Sequence, residues 1–166
     1  MYKLIQYLKF LFTATNQHGV HSPFIYNYVT KCLYTRPNFQ YSKAVNVLLK
    51  SIDYFQVSQL TLSEDNKIHK LVRQHFPHVR FVKKNGDILW LSANEPKKLN
   101  MLLSEENSFQ NDSILFIDAI HTSVENHKAW KKVKMQKKVT VTIDMFFCGA
   151  VFFRKEQVEE HFKIRI

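Results

Sequence analysis

The chain has 166 residues, 45% of them hydrophobic and 23% charged, which is enough for one domain with a real core and too few for two. Lysine and arginine outnumber aspartate and glutamate by 24 to 14, a net charge of +10 that favours anionic partners without choosing among nucleic acid, a membrane surface and phosphorylated small molecules. Cys32 and Cys148 are the only cysteines, which excludes a disulfide framework and a CxxC zinc site; with no clean signal peptide and no run of about 18 uncharged apolar residues, a cytoplasmic location without a transmembrane segment is expected.

Residues 2–12 read as a short helix whose apolar positions, Leu4, Ile5, Leu8, Leu11 and Phe12, recur three and four apart. Such a stripe is expected to dock on the domain, although Lys3 and Lys9 beside it also suit a membrane surface. "HGVHSPF", 18–24, is a loop broken by Gly19 and Pro23. His18 and His21 lack the further spaced ligands a metal site needs. Residues 24–34 continue as an aromatic helix. Ser42 caps the next, which turns Val45, Leu48, Leu49, Ile52 and Phe55 to one side.

Strand and helix then alternate. "SQLTLSE" (58–64) is a strand, 66–76 a helix, "VRFVK" (79–83) a strand, 84–86 a turn and "DILWLSA" (87–93) a strand. Asn94 is expected to cap a helix with Pro96 in its first turn, running to about Glu106. "SILFID" (113–118) is apolar on both faces, as a central parallel strand should be. Thr122-Ser123-Val124-Glu125 matches a capping box, opening a helix that carries Trp130 and Val133 inward. "VTVTIDMFF" (139–147) is a strand with Val139, Val141, Ile143 and Met145 on one side. Gly149 marks a turn, 150–154 pairs back, a short charged helix follows, and 162–166 is an edge strand.

This alternation predicts an α/β sandwich around a mainly parallel sheet, with an antiparallel C-terminal strand pair where crossover helices are missing. A helical segment, 1–56, is expected to pack on a domain spanning 57–166. The lysines at 128, 131, 132, 134, 137 and 138 (Lys128, Lys131, Lys132, Lys134, Lys137, Lys138) lie on the outer face of one helix. A solvated face is the ordinary use of such a cluster, and an anionic partner, nucleic acid or membrane, is the other.

Ligands of open α/β sheets bind beyond the carboxyl ends of the parallel strands. Those ends deliver Ser63, Glu64 and Asp65; then Ser92, Ala93, Asn94 and Glu95; then Asp118, Ala119, Ile120 and His121. Asp118 and His121 could form an acid–base pair, and Asp118 could equally cap a helix or bind loop amides. Glu64 could hold ribose hydroxyls or serve a helix dipole. The chain has three glycines, Gly19, Gly86 and Gly149, and neither GxGxxG nor a Walker pattern.

"SILFIDAIHTSVENHKAW" and "VTVTIDMFFCGAVFFRKEQVEEHFKIRI" resemble class I S-adenosylmethionine-dependent methyltransferases of the small-molecule O-methyltransferase type, in a group found in Bacteroidetes-like bacteria. "HGVHSPF" resembles that group's opening segment, and the resemblance covers about 87–166 and 18–34. It implies a Rossmann-like fold, S-adenosylmethionine as cofactor and a small-molecule acceptor. Asp118 and His121 would be catalytic, and Glu64, Ser92 and Asn94 would sit on the cofactor. Three departures stand out. The family's first strand ends in a glycine loop that nothing here matches, so "LTLSEDNKIHKL" is either the second strand, with the first missing, or a first strand without its glycine. Ser92 and Ala93 stand where the family has Asp-Gly. Ala119 replaces the second of two adjacent acids, while Asp118 and His121 are kept. Without the glycine turn the backbone cannot approach the cofactor closely. The resemblance therefore implies either a methyltransferase with a degenerate cofactor site or a catalytically inactive relative that binds anionic partners.

Overall fold

The strands are apolar on both faces, and helices cover both. The computed structural model describes residues 1–36, 39–62, 66–105 and 109–166. The strands are β1 (Gln59–Leu62), β2 (Arg80–Phe81), β3 (Ile88–Ser92), β4 (Ile114–Asp118), β5 (Val141–Asp144), β6 (Cys148–Phe152) and β7 (Glu160–Lys163). They form one sheet in the order β2-β1-β3-β4-β6-β5-β7. β1 to β4 are parallel, β6 runs antiparallel between β4 and β5, and β7 is parallel to β5.

The helices are α1 (Tyr2–Thr13), α2 (Pro23–Tyr28), α3 (Lys43–Tyr54), α4 (Asn66–His75), α5 (Pro96–Ser104) and α6 (Val124–Lys134), and α2 runs on as a π-helical turn, Val29–Leu33. Ile88, Trp90, Ile114, Phe116, Ile143 and Phe152 face the core under α2, α3 and α4. Leu89, Leu91, Leu115, Ile117 and Val151 face a second core under α5 and α6. The result is a Rossmann-like α/β fold with an N-terminal helix. Among the described residues no helix is long and apolar enough to cross a membrane.

Several elements differ from the sequence reading. α1 docks through Tyr7, Phe10, Leu11 and Ala14 rather than through most of its aliphatic stripe. The aromatic turn after β5 decides this, because Phe146 takes Tyr7 edge-on at 4.7 Å and Phe10 at 5.5 Å. Gly149 lies inside β6 and not in a turn. The six-membered ring of Trp130 from α6 abuts it, so that a Cβ there would stand 2.5 Å from the indole. The turn is made instead by 145–147, with Phe146 in the left-handed region at φ 67°. The strand read as 139–147 shortens to β5, and Val139 joins the second core, not the first.

No helix forms after Arg154. Residues 155–157 are a turn tied to Asn111, too short a segment to repay helix nucleation. β7 starts at Glu160 and pairs in parallel with β5, so the C-terminal end of the sheet is mixed. α5 has Glu95, not Asn94, at its N-cap, with no side-chain cap bond. α6 is capped by Ser123, which accepts from Asn126 N–H, one residue later than the Thr122 box predicts.

Candidate functional site

β4 and β5 point the same way, with β6 between them, so Asp118 and Asp144 end neighbouring stretches of the same sheet edge. After β4 the chain turns through Ala119 at φ 61°, whose N–H donates to Phe147 O at 3.0 Å. Two non-glycine residues, Ala119 and Phe146, thus hold left-handed backbone in loops that touch each other. Backbone strain of this kind persists where the surroundings over-determine it, and it concentrates at functional sites.

Between these loops lies His121, buried. Its Nε2 stands 2.8 and 3.0 Å from the two carboxylate oxygens of Asp144. Its Nδ1 is 3.1 Å from Nδ1 of His127, one turn into α6. Phe146 stacks on the ring at 5.0 Å with an interplanar angle of 7°. Asp144 also accepts from Trp130 Nε1 at 3.2 Å and from Phe146 N–H at 2.9 Å. Burial pushes the Asp144 carboxyl up, but the His121 bond and charge, the Phe146 amide and Lys134 together hold it below its ordinary value. Burial, then His121 and the lysines of α6, push His127 below the usual imidazole range.

A carboxylate only accepts, so Nε2 of His121 carries a proton. Two proton arrangements then complete the chain. With His121 neutral, its Nδ1 accepts from His127. With His121 an imidazolium paired to Asp144, His127 accepts at Nδ1 and carries its own proton on Nε2. A hydroxyl acceptor at His127 favours the first arrangement, and an anion favours the second.

The chain opens on a pocket of about 480 Å³ under α1, lined by Lys9, Phe10, Phe12, His127, Trp130, Lys131, Lys134 and Lys163 among others. Asp144 is the one carboxylate in that lining, and it is already engaged from three sides. Lys134 lies 5.4 Å over the Trp130 ring, and burial lowers its pKa while Asp144 raises it.

The residues expected from sequence distribute unevenly around this centre. His121 is in it. Asp118 is at the same sheet edge, but its Oδ1 accepts from Ala119 N–H at 2.7 Å, while both ring nitrogens of His121 are taken by Asp144 and His127. The acid–base pair read from "FIDAIH" is thus replaced by a pair across the sheet. Ser92 Oγ accepts from Asn94 N–H at 3.2 Å, and Asn94 Oδ1 accepts from Asn126 Nδ2 at 2.8 Å. The first bond closes the loop after β3 on itself, and the second ties it to the start of α6. Glu64, with its neighbours Ser63 and Asp65, lies outside the described residues.

Of the basic cluster, Lys131 and Lys134 line the pocket. Lys138 donates to Glu105 O at 3.0 Å, and Lys128, Lys132 and Lys137 face outward. Lys137 and Lys138 lie past the end of α6, so the six are not one helix face. Sequence reading missed Asp144, hidden as one more buried position of a strand, and His127. The available signal was spacing, since His127 stands six residues after His121 and a capped helix brings it back over the loop. Among the described residues no cluster of three or more His, Cys, Asp or Glu side chains could hold a metal ion.

The fold and centre define a Rossmann-like α/β protein with a buried His–His–Asp chain under a basic pocket. No protein family, curated protein or solved structure matches the chain.

Proposed function

We propose that this is a methyltransferase-like protein turned from methyl transfer to binding: a relative of the small-molecule O-methyltransferases that holds an anionic small molecule in the pocket under α1. The descent rests on the sequence resemblance. The observation that carries the binding reading is the pocket's charge pattern. Lys9, Lys131, Lys134, Lys163 and His127 surround a single carboxylate that is already satisfied, so an entering anion meets donors and no free acid. The loss of S-adenosylmethionine chemistry is supported by the missing glycine turn and by Ser92 and Asn94, whose side chains bond neighbouring loop groups.

Isothermal titration at moderate salt tests this, with S-adenosylmethionine, S-adenosylhomocysteine and pyrophosphate as separate probes. The expected result is no heat from the first two up to millimolar ligand, and pyrophosphate binding that Lys134→Ala weakens. Micromolar S-adenosylmethionine binding would overturn the loss of the cofactor site and return the methyltransferase reading. Pyrophosphate binding untouched by Lys134→Ala would move the anion site elsewhere.

A further inference from the structure

The outer face of α1 is unpartnered. Leu4, Ile5, Leu8 and Phe12 are 63%, 45%, 49% and 89% exposed, and they share one side of the helix at three- and four-residue spacings. Docking of the helix rests instead on Tyr7, Phe10, Leu11 and Ala14, and Phe12, at the edge of the stripe, also borders the pocket. An apolar stripe this continuous is costly to leave in water.

Its surroundings are basic. Lys3 and Lys9 lie on the helix itself, Lys163 donates to Thr13 Oγ1 at 3.0 Å, and Lys43 stands 5.1 Å over the ring of Phe147, which packs against the docked face of α1. Lys9 lies between the stripe and the pocket, whose lining carries Lys131, Lys134 and Lys163. An apolar stripe beside clustered lysines, on a helix too short to span a bilayer, matches a helix lying in the plane of an anionic membrane surface.

We propose that α1 seats this protein on an anionic lipid surface, with Leu4, Ile5, Leu8 and Phe12 entering the headgroup boundary and the lysines around the pocket facing lipid phosphates. Nucleic acid would satisfy the lysines and leave the stripe wet. A second copy of the chain would cover the stripe but bring one +10 surface against another. The apolar stripe of α1 carries the inference beyond the binding reading; the pocket lysines are shared by both, and the stripe variants separate them.

The test is sedimentation of the whole chain with phosphatidylcholine vesicles, with and without phosphatidylglycerol. Binding is expected only to the mixed vesicles, falling steeply with added salt. Leu4→Ser and Leu8→Ser, neither of which lines the pocket, each lower the partition coefficient about tenfold, the scale of withdrawing one large apolar side chain from lipid, and the double variant Leu4→Ser/Leu8→Ser lowers it further. Both side chains are exposed, so the circular dichroism spectrum stays unchanged. Lys9→Ala costs about fivefold, the share of one lysine near an anionic surface. Failure to sediment with mixed vesicles, equal binding to neutral ones, or binding that the double variant leaves intact overturns the proposal. So does a dimer that the double variant dissociates, if the wild-type chain ignores lipid. A titration showing S-adenosylmethionine binding would overturn the binding reading and leave this result untouched.

Discussion

Asp144→Asn isolates the buried hub. The carboxylate takes Phe146 N–H on Oδ1 at 2.9 Å, Trp130 N–H on Oδ2 at 3.2 Å, and His121 across both oxygens. An asparagine of the same shape keeps one acceptor oxygen. If that oxygen stays with Phe146 and His121, the amide NH2 meets the indole N–H, donor against donor, and a buried donor is orphaned at a cost of about 1–3 kcal/mol. The His121 bond also loses its charge assistance, another ~1 kcal/mol. The expected loss is therefore about 2–4 kcal/mol, a large share of a typical domain's stability. Urea unfolding followed by Trp fluorescence measures it, with Asp118→Asn, on a half-buried side chain, as the comparison at below about 1 kcal/mol. The pH dependence must agree. The folded Asp144 carboxyl sits below its ordinary value, so its contribution is present above the usual carboxylate range and is lost as pH falls through the folded value. Asp144→Asn should flatten that acid limb. Equal losses for the two variants, or an unchanged acid limb, would refute the assignment of Asp144 as hub.

Gly149→Ala places a Cβ 2.5 Å from the ring of the fully buried Trp130; an overpacking loss of about 1–3 kcal/mol and an altered near-ultraviolet signal from Trp130 are expected in thermal melts and circular dichroism. Burial pushes the Cys32 thiol up to about 12 and the Cys148 thiol well above its ordinary value, so neither should react with iodoacetamide in the folded protein at pH 8, and both should react in urea; labelling of the native chain at either site would contradict their burial.

Much of the fold was legible because its signals are local and periodic. "ILFID" carries apolar residues on both faces and became a central strand. Ser42 sits where helix 43–54 needs an acceptor and caps it, whereas the cap that Ser22 gives to helix 23–28 lies in a segment read as loop. What was hidden depends on tertiary neighbours. α1 offers two apolar faces in sequence, and only the aromatic turn at Phe146 and Phe147 chooses the one with Phe10. Gly149 looks like a turn until Trp130 arrives from another element. Ala119 and Phe146 hold conformations that a sequence reader assigns to glycine. The site was half legible for the same reason. His121 follows a strand end, a recognised place for chemistry, whereas Asp144 sits within an alternating buried pattern and gains its meaning only when β6 inserts between β4 and β5.

Thr15, two residues beyond α1, is itself sewn into the far end of the sheet. Thr15 N–H donates to Lys163 O at 2.8 Å, and Arg165 N–H donates back to Thr15 O at 3.1 Å, a contact spanning 148 positions of the chain. Closing so long a loop is entropically late work. α1 is therefore held at two places, by the aromatic turn after β5 under its docked face and by the β7 edge at its end, so a change that loosens the edge strand also loosens the backbone leading into the roof of the pocket.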